Sequence, residues 1–196
     1  MFRGAVQNIS MVEPRAQTWG LIQIFTGNGK GKTTSALGTA IRAAAKGKRV
    51  AIVYFDKGGT EHYSERKLVT ERIPEIELFP TGLDRIDPVT NKFRFGVTDE
   101  DKKEGGRGMG IVARLFQENR HDLLILDEVN SSTALGIISE TAANALLDQR
   151  PPHMELILTG RNAPASFMER ADLITDMQLV KHYFYHGIAA REGLDF

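Results

Sequence analysis

TGNGKGKTT, residues 26–34, lies between an apolar run, LIQIF (21–25), and an Ala-rich stretch, KTTSALGTAIRAAAKG (32–47). The pattern of a phosphate-holding loop is G-x-x-x-x-G-K-[ST], placed between a strand and a helix. Gly31, Lys32 and Thr33 fill its second half; Thr26 stands at the first glycine position, a departure, with Gly27 and Gly29 following at once. Small residues let successive backbone N–H groups point at oxygen, and the helix N-terminus adds partial positive charge. Lys32 supplies a mobile cation, and the Thr33 hydroxyl suits Mg²⁺. Thr26, Gly27, Asn28, Gly29, Lys30, Gly31, Lys32, Thr33 and Thr34 are therefore expected to hold the phosphates of a nucleotide. Lys30 is an additional cation that reads equally as a phosphate contact or a solvated lysine.

Working outward, short apolar runs alternate with helical segments. RVAIVYF (49–55), IELF (76–79), DLLILDE (122–128), MELILTG (154–160) and DLITDMQLV (172–180) read as strands. SERKLVTER (64–72), SETAANALLDQR (139–150) and APASFMERA (163–171) read as helices. Continuous apolar strands alternating with helices predict an α/β, RecA-like fold with a mainly parallel sheet covered on both faces. Ligands then sit outside the carboxyl ends of the strands, where each motif falls. Residues 1–18 show no clear period and are expected to form an N-terminal arm; 19–196 form the nucleotide-binding domain. TDED (98–101) has the spacing of a helix start. Yet KKEGGRGMG (102–110) places Gly105, Gly106, Gly108 and Gly110 close together, so that helix is expected to start late, fray or pack unusually close to something.

LLILDE ends in Asp127 and Glu128, the expected second half of a phosphate-loop site, holding Mg²⁺ directly or through water. Consecutive strand residues point to opposite faces, so which of the two touches metal stays open. Lys32, Thr33 and Glu128 are the residues expected to carry the chemistry. Arg161, after the fifth strand, is either a phosphate contact or a surface arginine. Hydrolysis or phosphoryl transfer needs a group to place a nucleophile at the terminal phosphate. Asn130 is the only amide in VNSSTALG (129–136), and it is open to orienting water.

With 41% apolar residues the 196-residue chain can bury a proper core. Its 25 basic and 25 acidic residues leave no global field for nucleic acid or an anionic membrane. It has no cysteine, which excludes disulfides and thiolate sites, and no apolar run nears the roughly 20 residues that span a bilayer. A cytoplasmic protein is expected.

In order along the chain, TGNGKGKTT, DLLILDEVN (122–130), ILTGRNAP (157–164), ADLITDM (171–177), LVKHYF (179–184) and GIAAREGLDF (187–196) resemble the ATP:corrinoid adenosyltransferases of the phosphate-loop type. The resemblance covers the chain from about Gly20 onward. It implies Mg-ATP-dependent transfer of the 5′-deoxyadenosyl group to the Co(I) centre of a corrinoid in adenosylcobalamin biosynthesis or salvage. Triphosphate leaves as a unit, from ATP held reversed in the loop. It implies ATP and corrinoid as substrates, Mg²⁺, a homodimer with the arm near the partner's site, and an electron-donating reductase or flavodoxin-like protein. It matches Arg42 to a family arginine near nucleotide. On residue type alone His182 reads as an ordinary packed or surface histidine and is assigned no catalytic role.

The family carries a Phe-x-Trp near the corrin. With residues 83–92 taken as an insertion, the equivalent here is FRF, with Phe93 and Phe95; the other reading is one face of an ordinary buried turn. Rival functions are a phosphate-loop ATPase or kinase of another class, a non-catalytic nucleotide-binding or recombinase-like module, and a corrinoid carrier without turnover.

Overall fold

The computed structural model describes residues 19–59, 63–85 and 94–195. The expected arm, 1–18, and Phe93 lie outside the described residues. The elements alternate: β1 (Ile22–Thr26), α1 (Lys32–Ala44), β2 (Val50–Tyr54), α2 (Ser64–Arg72), β3 (Ile76–Pro80), α3 (Asp99–Glu118), β4 (Leu123–Asp127), α4 (Val129–Ala134), α5 (Glu140–Leu147), β5 (Glu155–Thr159), α6 (Ala165–Arg170) and β6 (Leu173–Asp176). A 3₁₀ turn, Tyr183–His186, follows. The strands form one sheet in the order β3-β2-β4-β5-β1-β6, and every neighbouring pair is parallel.

The central strands β2, β4 and β5 are buried on both faces, whereas the edge strand β6 is exposed. Val50, Ile52 and Tyr54 of β2 join Leu123 and Ile125 of β4 beneath α1, where Ala36, Ala40, Ala43 and Ala44 let the helix approach closely. Ala51 and Val53 join Leu124 and Leu126 on the other face, under α3, α5 and α6. This two-sided burial is why the strands read as continuous apolar runs rather than alternating ones. β6 is shorter than its sequence suggests. It pairs with β1 as far as Thr26↔Asp176, after which the Met177 carbonyl accepts from the Gly29 N–H at 2.6 Å. The phosphate-loop candidate therefore takes the strand's next hydrogen bond. No helix among the described residues is long and apolar enough to cross a membrane.

Helix α3 neither starts late nor frays; its glycines mark a close approach. Thr98 caps it reciprocally with Asp101, whose carboxylate is also gripped by Arg94 through two bonds of 2.9 and 2.7 Å. The Arg94 fork and the Thr98 bonds hold the Asp101 carboxyl well below the usual range. A Cβ on Gly108 would lie 2.5 Å from the Phe55 ring, and one on Gly105 would lie 2.9 Å from Ile137 Cγ2. Gly106 and Gly110 face open space.

These two kinds of glycine predict opposite effects. Gly108→Ala should cost about 1–3 kcal/mol through overpacking. Gly106→Ala should gain roughly 1 kcal/mol from helix propensity. Urea unfolding of the two variants checks both signs.

Candidate active site

The loop after β1 turns into α1 at Gly31, whose φ of 114° is one that L side chains rarely adopt. Gly29 is closed in by the chain beyond β6: a Cβ there would lie 2.6 Å from the Met177 carbonyl oxygen. Thr26 is tolerated at the first glycine position because it is still in the strand; the positive φ, 91°, falls on Gly27. Its hydroxyl accepts from the Ala163 N–H at 3.3 Å.

Lys32 is buried and folds back on the loop, donating to the Gly27 and Gly29 carbonyls at 2.8 and 2.7 Å. Burial, with Arg161 and Lys57 nearby, pushes its pKa down against the pull of Glu128 and Asp127. Lys30 lines the cavity and stays partly exposed, but its ammonium is engaged by the chain's last residues. It donates to Tyr183 Oη at 3.3 Å and to the Asp195 carboxylate, and Asp195 also accepts from Tyr183 and from the Arg191 N–H. Lys30, Tyr183 and Arg191 hold the Asp195 carboxyl well below its usual value. The chain's last stretch is thereby fastened across the loop. Together they enclose a cavity of about 400 Å³, lined by Asn28 to Thr34, Glu128, Arg161 and the aromatic face of His182, Tyr183 and Phe184.

Asp127 and Glu128 divide as their positions on β4 dictate. The Asp127 side chain is 1% exposed, and Thr33 donates to its Oδ2 at 3.2 Å. Thr159, at the tip of β5, donates to Oδ1 at 2.6 Å. Glu128, in the left-handed region at φ 61°, turns out to line the cavity, and Ser131 donates to its carboxylate. The third partner of Asp127 is Lys57, just past β2. Its ammonium lies 2.6 Å from Asp127 Oδ2, 2.8 Å from Thr33 Oγ1 and 3.5 Å from Glu128 Oε1. Burial works against that charge, but Asp127 and Glu128 outweigh it and raise the Lys57 pKa above the ordinary lysine value.

Lys57 and Thr159 are the partners of Asp127 that sequence reasoning missed, as Tyr183 and Asp195 are those of Lys30. The signal for the first two was position alone: each follows or ends a strand on the carboxyl edge where ligands bind. Arg42 is not brought to the loop. It lies in the last turn of α1, ten residues past Lys32 and so about 15 Å along the axis at 1.5 Å per residue. There it lines a separate cavity with Trp19 and Leu21. Asn130 does not line the loop cavity; it is fully buried, its amide directed at the Leu158 and Gly160 carbonyls at 3.5 and 3.4 Å. Phe95 is 85% exposed, so it is not part of a buried turn. The segment that carries it is tied to the site: Arg85 donates to the Gly96 carbonyl at 2.6 Å and to Asp56, next to Lys57, at 2.9 Å.

The family model "ATP:corrinoid adenosyltransferase BtuR/CobO/CobP" matches residues 18–196. The chain belongs to this family. It is 33% identical over 182 residues to the corrinoid adenosyltransferase of Escherichia coli, covering 90% of this chain and 86% of that one. It is 32% identical over 180 residues to the CobA enzyme of Salmonella typhimurium, with the same shares covered. Among solved structures it resembles a KaiC-like protein of Pyrococcus horikoshii, with a TM-score of 0.51 at 17% identity, covering 84% of this chain and 75% of that one. That likeness supports the RecA-like, phosphate-loop fold, and the adenosyltransferase activity rests on the family.

The fastening of the final stretch is testable without substrate. Asp195→Ala removes the acceptor shared by Lys30, Tyr183 and Arg191. Tryptic cleavage after Lys181 and Arg191 should then speed up several-fold, read as the rate of loss of intact chain by mass spectrometry.

Proposed function

We propose that this adenosyltransferase moves the 5′-deoxyadenosyl group of ATP onto the Co(I) centre of a reduced corrinoid, releasing triphosphate in one piece. The cobalt electron pair forms the bond to C5′ as the C5′–O bond breaks, and that bond's electrons leave with the triphosphate. The nucleophile gives up no proton, so the reaction asks the protein for position and positive potential rather than a base. The observation that carries this reading is a convergence in a chain of this family: loop amides, Lys32, Arg161 and the Thr33–Asp127 corner all meet beside one open cavity.

The loop from Thr26 to Thr34 cradles the polyphosphate. Lys32, once nucleotide enters, exchanges the Gly27 and Gly29 carbonyls for phosphate oxygens, and Arg161 adds charge from the β5 side. The corner fits Mg²⁺: a hydroxyl and a carboxylate are hard oxygen ligands, 3.2 Å apart, and already hold a cation, Lys57. Thr33 and Asp127 would hold the ion, with Glu128 contacting it through water. When bound, it neutralises charge growing on the leaving group. Phe95, with Phe93, is proposed to meet the corrin. By family resemblance we also take the enzyme to be a cytoplasmic homodimer, with the arm of residues 1–18 near the partner's site. A reductase or flavodoxin-like protein would deliver the electrons that make Co(I).

Chemically reduced cobalamin, ATP and Mg²⁺ should yield a light-sensitive alkylated corrin and triphosphate in equal amounts. Release of ADP or orthophosphate with cobalt unalkylated overturns the proposal. Lys32→Ala should lower kcat by about 10²–10³-fold, the scale for losing one donor to developing charge. Phe95→Ala should raise KM for the corrinoid and leave ATP affinity, measured by calorimetry, unchanged.

A further inference from the structure

Lys57 stands where a divalent cation would stand. It touches the Thr33 hydroxyl and Asp127 Oδ2 together, at 2.8 and 2.6 Å, with the Glu128 carboxylate next nearest at 3.5 Å. The Asp127 side chain it neutralises is 1% exposed, and the Lys57 side chain is 17% exposed. A buried carboxylate stripped of its cation is strongly destabilising, and Thr159 satisfies only the other oxygen, Oδ1. The corner therefore needs a cation whether or not metal is present.

We propose that Lys57 is the resident counter-cation of this corner, occupying it until a metal–polyphosphate complex displaces it, so that the divalent ion enters only together with nucleotide. This rests on the assignment of Thr33 and Asp127 as the metal corner. Charge explains the coupling. A bare divalent ion must approach an ammonium already seated on its ligands, and in a partly buried site that repulsion is weakly screened. A metal–triphosphate complex brings both a replacement cation for Asp127 and an anion for the ammonium it evicts. Lysine suits an exchange of this kind: it is a point charge on a flexible stem, bound without the two-pronged grip of arginine. The displaced side chain has somewhere to go. Lys57 also lines a cavity of about 350 Å³ with Thr33, Thr34, Tyr63, Leu194 and Asp195, which borders the nucleotide cavity along Thr33 and Thr34.

Mn²⁺ is the probe, with free ion measured by electron paramagnetic resonance in the absence of corrinoid. Without nucleotide, Lys57→Gln should bind Mn²⁺ about tenfold or more tightly than the unaltered chain, the cation at Asp127 having been removed. Adding Asp127→Asn to it should abolish the gain. In chelator, Lys57→Gln should melt below the unaltered chain, and Mn²⁺ alone should restore the difference. Lys57→Arg, which keeps the charge but grips the carboxylate with a fork, should stay closed to free Mn²⁺ and take up Mn²⁺·ATP more weakly. The Arg variant tests the idea even if the Gln variant folds poorly. Equal nucleotide-free Mn²⁺ affinity in Lys57→Gln and the unaltered chain overturns the proposal, as does undiminished Mn²⁺·ATP binding by Lys57→Arg. If the unaltered chain binds no Mn²⁺ even with ATP, the metal corner itself is wrong, and this proposal falls with it.

Discussion

A carboxylate 1% exposed at the tip of β4 must be paired, and the chain pairs it from three directions. Thr33 reaches it from the start of α1, Lys57 from the end of β2, and Thr159 from the end of β5. No two of these groups come from one element. The pairing is possible only if β2, β4, β5 and the loop after β1 finish at the same level, and parallel strands in register deliver that. Asp127 thus links fold to chemistry: the cost of burying its charge is met by aligning the strand ends on which the nucleotide site is built.

The final stretch of chain performs the complementary task on the open side. Asp195 gathers Lys30, Tyr183 and Arg191, and Arg191 lies over the Tyr183 ring at 4.6 Å. The aromatic wall of the cavity is therefore attached to the phosphate loop through charged hydrogen bonds rather than through a hydrophobic core. Exposed ion pairs are weak individually, so this wall is the part of the site least firmly held. An enzyme that must admit both a nucleotide and a large flat corrinoid has reason to keep it so.

Much of the fold was legible because its signals are local. Strands buried on both faces read as unbroken apolar runs, and the Gly-Lys-Thr turn between LIQIF and an Ala-rich helix allowed few other meanings. The glycines of α3 showed that something unusual happens there, but only the Phe55 ring and Ile137 reveal that it is a close approach. The site was half legible. Lys57 lies 24 residues from Thr33 and 70 from Asp127, and its partnership with both follows from β2 lying beside β4, which no spacing in the sequence encodes. Thr159 is hidden for the same reason. Arg42 is the opposite case: matched by resemblance, it lies on the right helix but at the far end from the loop. Lys30, read as a choice between phosphate and solvent, has a third partner no spacing announces, because residues more than 150 positions later fold onto it.

The sheet order places β5 between the strand that leads into the loop and the strand that ends in the acid. Two interstrand steps, about 10 Å in all, separate β1 from β4. That span is set by backbone ladders, not by side chains or loops, and the Thr159 hydroxyl bridges its middle. The sheet acts as a ruler: the distance between the Gly-Lys-Thr loop and the acid is part of the scaffold. The loops around the strand ends can then be rewritten while the gauge itself stays unchanged, which makes the wall of His182, Tyr183 and Phe184 the natural place to re-engineer what fits beside the loop.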